Sequence, residues 1–186
     1  MNAETDKTKR KNRLTLLLLL AIFLAPALGS WLLYANLDKL HLSTTNKGEF
    51  VQPPRPIDVT GLALPADYFA HRHTLIYVGG PDCAADCRRA LQVMQGTQLA
   101  LGEATGQVRR LYLAPNAGAA AAVQGDAGLT ALDATGKAVL KAFDADASQY
   151  IYLADPNGYV VLRYKLSEDP KRILIDLRHL LGLSEG

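Results

Sequence analysis

The sequence predicts an α/β domain preceded by one N-terminal transmembrane helix. Three observations predict it. From Leu14 to about Leu33 the chain carries no charged residue, roughly 20 residues that suffice to cross a bilayer core as a helix. Beyond this run, short apolar segments rich in strand formers alternate with a segment of helical periodicity. Near the C-terminus, a turn signal at Asp155-Pro156-Asn157-Gly158 separates two strand-like runs, and one more amphipathic helix follows.

The chain has 186 residues and a net charge of +2, a balance that gives no footprint for nucleic acid or an acidic substrate. The charge is unevenly placed. Lys7, Lys9, Arg10, Lys11 and Arg13 stand against Glu4 and Asp6, so residues 1–13 sum to +3 and the rest to about −1. Basic residues directly before an apolar span keep that end in the cytoplasm, and amphipathic rings such as Trp31 and Tyr34 favour the far interface. Residues 1–13 therefore read as a cytoplasmic basic tail and 14–37 as a single-pass anchor. Pro26 is tolerated in a membrane helix. The competing reading is a cleaved secretory signal, with small residues at Ala25-Pro26-Ala27 and Ala27-Leu28-Gly29, although the apolar run continues past these sites. Both readings export residues 38–186.

Residues 38–56 read as a tether. They hold Ser43-Thr44-Thr45-Asn46, Gly48 and the Pro53-Pro54-Arg55-Pro56 cluster, which favours an extended, semi-rigid segment. Residues 57–186 are then the exported domain, large enough to bury a core without disulfide staples. Thr74-Leu75-Ile76-Tyr77-Val78 predicts a strand buried on both faces. Residues from about Ala84 to Leu101 predict a helix with Cys87, Leu91, Met94 and Leu101 along one face. Val108 to Leu113 is a second strand, and Asn116 to Gln124 a short helix. Gln149–Ala154 and Tyr159–Tyr164 flank the turn signal as an antiparallel hairpin. The last helix opens at Asp169-Pro170, with Ile173, Leu174, Leu177, Leu180 and Leu181 as its buried stripe. The order β-α-β-(α)-β-β-α is that of the thioredoxin fold, so the fold class is a thioredoxin-like α/β domain behind one transmembrane helix.

The two cysteines, Cys83 and Cys87, directly follow the first strand and open the first helix. Four residues apart on a helix, two side chains share a face. A helix N-terminus favours thiolate, which is both the nucleophile and the metal ligand. The pair can close into a disulfide or hold a soft ion such as Cu(I). Asp82 and Asp86 oppose the thiolates, while Arg88 and Arg89 favour them. The structural alternative is a staple, but so short a loop restricts the unfolded chain little.

The four histidines are His41, His71, His73 and His179. His71 and His73 have metal-ligand spacing but precede the buried strand, at the opposite end of the sheet from the cysteines, and read as solvated residues. His41 falls in the tether. His179 falls near the end of the last helix, where a cation suits the dipole. Met94 reads as core filling, and Tyr112, Tyr150, Tyr152, Tyr159 and Tyr164 as strand packing.

Thr74–Gly79 followed by Cys83-x-x-x-Cys87 resembles the signature of the Sco family of cytochrome oxidase assembly factors, as does Tyr150–Gly158. The resemblance spans about residues 58–181 and is concentrated in those two blocks. The chain resembles still more the small membrane proteins encoded beside oxidase assembly genes in proteobacteria. The family usually has a proline within or just after its cysteine motif, where this chain has Ala84 and Arg88. Its copper-ligating histidine, shortly before the Tyr-x-Tyr strand, corresponds here to Ala147 within Asp146-Ala147-Ser148-Gln149.

The resemblance implies a bacterial inner-membrane location with the C-terminal domain in the periplasm, and an oxidase subunit or another assembly factor as partner. No cofactor is required, and copper is the candidate cargo. The leading expectation is an accessory factor for cytochrome c oxidase assembly, working by dithiol/disulfide exchange through Cys83 and Cys87 as a candidate thiol-disulfide oxidoreductase. The alternatives are a Cu(I) chaperone using the same two sulfurs and a non-catalytic interaction module.

Overall fold

The structure is a computed structural model that describes residues 3–35, 46–65, 67–80 and 85–183. It divides into two units, residues 1–45 and 46–186. The first holds helix α1, Ala3–Ala35. Its segment Thr15–Leu32 is long and apolar enough to cross a membrane: at 1.5 Å per residue its 18 residues span about 27 Å, close to a hydrocarbon core. Leu16–Leu20, Ile22 and Phe23 are all exposed, an apolar surface suited to lipid and costly in water.

The second unit is built on a six-stranded sheet in the order β1-β6-β5-β2-β3-β4. These strands are β1 (Glu49–Pro56), β2 (His73–Val78), β3 (Val108–Ala114), β4 (Leu129–Asp133), β5 (Tyr150–Ala154) and β6 (Tyr159–Lys165). Strands β2, β3 and β4 run parallel. The hairpin β5–β6 joins antiparallel to β2. The remaining helices are α2 (Ala85–Leu99), α3 (Ala117–Ala121) and α4 (Lys171–Leu180). The thioredoxin-like order expected from the sequence is present, with an edge strand added at each side.

Alternation along β2 explains why it reads as an unbroken apolar run. Leu75 and Tyr77 point to the face covered by α2 and α4, with Met94, Ile173 and Leu177. Ile76 and Val78 point to the other face, under Phe69 from a turn and Val139 and Phe143 from a short 3-10 helix and its cap. Successive side chains alternate across a strand, so a strand covered on both sides must be apolar throughout.

Residues 49–56, expected to lie in the tether, instead form β1, paired to β6 with a register shift between Phe50 and Arg55. Proline cannot donate to a ladder, so Pro53 and Pro54 are compatible only with an edge strand and its irregularity. The start of this segment is fastened to α4. Asp176, 2% exposed, accepts from Lys47 N at 2.8 Å and Gly48 N at 2.8 Å and from the Tyr164 hydroxyl at 2.9 Å. Arg172 donates to the Lys47 carbonyl. A Cβ on Gly48 would lie 2.6 Å from the Tyr164 ring, so only glycine allows this approach. Residues 38–45 of the expected tether, including His41, lie outside the described residues.

The hairpin turn forms as expected: Asp155 Oδ1 accepts from Asn157 N and Tyr159 N at 3.0 and 2.8 Å, and Gly158 adopts φ +80°. At α4 the expected stripe is partly corrected. Ile173 and Leu177 are buried, whereas Leu180 is 41% exposed and the buried place beside Leu177 belongs to Asp176.

Candidate functional site

Strand β2 ends at Val78, and Gly79 continues the parallel ladder by donating to the Leu113 carbonyl at 2.9 Å. The chain then runs through Gly80 to α2. Residues 81–84, among them Asp82, Cys83 and Ala84, lie outside the described residues. Cys87 is the third residue of α2 and heads its buried face, followed by Ala90, Leu91, Met94 and Thr97. This spacing of three and four places Cys87 on the stripe that packs the sheet and in the first turn, where unpaired amides favour thiolate.

Cys87 is disulfide-bonded and 2% exposed. The sequence contains one other cysteine, Cys83. The Tyr112 oxygen lies 3.4 Å from Cys87 Sγ. A disulfide sulfur carries no proton, so the phenol is the donor. Tyr112 is the register partner of Tyr77 across the parallel β2–β3 ladder, and their rings stack with centroids 6.0 Å apart and planes at 13°. The Tyr77 hydroxyl in turn donates to the Ser148 carbonyl at 3.1 Å. Burial first, then Tyr112 and Asp86, push the Tyr77 phenol up to about 12; burial also raises Tyr112. Both remain neutral donors at physiological pH.

Hollows open beside this end of the sheet. One, of about 390 Å³, is lined by Gly79, Gly80, Phe143, Asp144, Ala147 and Ser148 among others. Another, of about 340 Å³, is more apolar and has Val78, Leu113, Pro115 and Leu140 in its wall. In the first, Asp144 pairs with Arg55 at 2.8 Å and Arg163 at 2.9 Å. The hydrogen bond from Arg55, offset in part by desolvation, holds its carboxyl below the usual range.

Ala147 is buried in a short 3-10 turn next to the residue whose side chain faces Gly80. Ala147, which the Sco resemblance aligns with a copper-ligating histidine, thus lines the same hollow as Gly80 and offers it a methyl group. His73 begins β2 at the other end, about 17 Å from Val78 at strand rise, and His71 lies in the turn before it. His71 is exposed with φ +62°, and His73 is half-buried, with desolvation outweighing Asp155 to lower its pKa. His179 is exposed in the last turn of α4. Met94 is fully buried core. Among the described residues, no group of three His, Cys, Asp or Glu side chains is placed to hold a metal ion. Thiolates such as those of a reduced cysteine pair suit a soft ion.

Sequence reasoning assigned Tyr112 to packing and gave no role to Tyr77. The available signal was parity. Each tyrosine sits just before the C-terminal end of its strand, and parallel register brings the two together on the helix-covered face, beneath the first turn of α2.

A family model described as transmembrane-like, thioredoxin-like, C-terminal domain matches residues 73–184. None of the curated proteins matches this sequence. Among solved structures, the chain is similar to yeast Sco1 with copper bound, at 18% identity and TM-score 0.52 over 63% of this chain and 83% of that one. It is similar to apo Sco1 from Thermus thermophilus, at 18% identity and TM-score 0.52 over 75% and 99%. It is also similar to Bradyrhizobium japonicum ScoI with copper bound, at 21% identity and TM-score 0.50 over 71% and 98%. At these identities the likeness establishes the fold, the one expected from the two sequence blocks. Over the stretch from the start of β2 to just beyond α4, the chain belongs to the transmembrane-like, thioredoxin-like C-terminal domain family.

Proposed function

We propose that this chain is a membrane-anchored accessory factor for cytochrome c oxidase assembly whose periplasmic domain exchanges disulfides through Cys83 and Cys87. The observation that carries the chemistry is Cys87: a disulfide-bonded sulfur, in the first turn of α2, with a phenol beside it. The resemblance to the Sco family supports the pathway, and the basic residues before an apolar span support the orientation. Because Cys87 is buried, a protein partner's sulfur has no access to it, and exchange with the partner falls to Cys83. When the domain acts as reductant, the Cys83 thiolate attacks the partner disulfide and expels one partner thiolate. The Cys87 thiolate then attacks Cys83 Sγ, releasing the second. The partner gains two electrons and two protons, and the domain returns to its disulfide.

Deleting the gene is expected to lower assembled oxidase activity in membranes. The wild-type chain should restore it, and Cys87→Ser should not. Full restoration by the Cys83→Ser/Cys87→Ser double variant would refute disulfide exchange and leave an interaction module.

A second reading takes copper as cargo, favoured by the copper-bound state of two structural neighbours. Two thiolates suit Cu(I), but Ala147 supplies no imidazole. Anaerobic Cu(I) titration of the reduced full chain separates the readings: stoichiometric binding lost in Cys83→Ser supports cargo, and its absence removes it.

A further inference from the structure

We propose that Tyr112 sets the redox poise of the cysteine pair by donating its phenolic O–H to Cys87 Sγ, with Gly79 and Tyr77 holding it in place. This rests on the disulfide-exchange reading and adds a residue to its chemistry. Among the described residues, Cys87 Sγ is the hydrogen-bond partner of the Tyr112 hydroxyl, at 3.4 Å. The phenol is buried and stays protonated, so it is a standing donor.

Its position is determined from two sides. On one, a Cβ at residue 79 would lie 2.6 Å from the Tyr112 hydroxyl oxygen and 2.9 Å from Pro115 Cδ. Gly79 does not adopt a positive φ, so the backbone does not need glycine for its conformation. It needs the space that lets the phenol end beside the sulfur. On the other side, Tyr77 stacks on the Tyr112 ring and is itself tied to the Ser148 carbonyl. Tyr77 is a positioning residue. Tyr112 touches a reacting atom.

The consequence follows from where the electrons go. A partner dithiol reduces the domain when its thiolate attacks Cys83 Sγ. The Cys83–Cys87 bond breaks and the electron pair passes to Cys87 Sγ. The partner's second thiolate then attacks its own sulfur in the mixed disulfide, releasing Cys83. Two protons complete the balance: one partner dithiol becomes a disulfide and the domain disulfide becomes a dithiol. A hydrogen bond to an anionic sulfur is stronger than one to a neutral disulfide sulfur. Tyr112 therefore favours the thiolate leaving group at Cys87 and the reduced form as a whole, and raises the potential.

The test is equilibrium titration of the full chain in detergent against dithiothreitol buffers, read by thiol alkylation. Tyr112→Phe keeps the ring and removes the donor. It is expected to shift the equilibrium about tenfold toward the disulfide, about 30 mV more negative. Gly79→Ala should shift it the same way by crowding the phenol, and carries the test if Tyr112→Phe does not fold. Tyr77→Phe, which keeps the stack but unties the ring from the Ser148 carbonyl, should shift it in the same direction by a smaller factor than Tyr112→Phe. A wild-type potential in both Tyr112→Phe and Gly79→Ala, or in the folded one alone, overturns the role of Tyr112. Absence of any reversible couple in the wild-type chain overturns the exchange reading as well.

Discussion

Two buried charged groups of the sheet domain contrast with its buried cysteine. Arg110, 2% exposed on β3, is saturated. Its guanidinium donates to Gln98 Oε1 at 2.6 Å, to both Asp126 oxygens at 2.9 and 3.0 Å and to the Ala127 carbonyl at 2.6 Å. Asp176 is saturated in the same sense, by two amides and a phenol. Cys87, equally buried, has a 3.4 Å contact from Tyr112 beside its covalent bond. A buried charge is tolerated only when fully paired, so the first two sites have one arrangement and resist change. A neutral disulfide sulfur with a phenol held beside it can accept charge when its covalent bond breaks. The difference separates groups that fix the fold from a group left able to change state, as the proposed disulfide exchange requires.

The largest effect is expected where saturation is removed. Asp126→Ala leaves the Arg110 guanidinium buried without its counter-charge and should cost about 3–5 kcal/mol, measured by denaturant unfolding, while leaving the redox equilibrium of the cysteine pair unchanged. A loss below about 1 kcal/mol, or a shifted potential, would break the separation of the two kinds of site.

A smaller loss is expected at the knot between β1 and α4. Asp176→Asn keeps the shape but turns one acceptor into a donor facing other donors, at a cost of about 1–3 kcal/mol. Amide hydrogen exchange at Lys47 and Gly48 should accelerate with it. Unchanged protection at those two amides would contradict the fastening role.

The mildest test acts on both regions through pH. Burial pushes Tyr77 and Tyr152 up to about 12 and also raises Tyr68, Tyr112 and Tyr164. The unfolded chain releases these protons near pH 10, while the folded chain retains them. Their contribution is therefore complete below about pH 10 and lost as pH rises toward about 12. Melting temperature followed across that window should fall steadily; a flat profile through about pH 11 would contradict the burial of the phenols.

The sequence made some of this legible and hid the rest for physical reasons. Strand β2, helix α2, the β5–β6 hairpin and α4 were each announced by local signals: an unbroken apolar run, helical spacing, an Asp-Pro-Asn-Gly turn, a leucine stripe. Strand β1 was not, because its prolines suit an extended tether equally well, and only pairing with β6 makes it a strand. Strand β4, Leu129–Asp133, is short and only partly buried, so it lacks the apolar run that marked β2. Asp176 was hidden by its charge. Its burial depends on donors from Lys47 and Gly48, more than a hundred residues away in sequence. At the candidate site, Cys87 was visible from spacing alone, whereas Tyr112 became significant only when parallel register set it beside Tyr77 and under α2.

The most direct test of the central claim is intact-mass measurement of the full chain after alkylation, with and without prior reduction. The account predicts no label before reduction, two labels after it, and return to the unlabelled state on reoxidation. Two labels without any reduction, or a chain that cannot be cycled between the states, would contradict it.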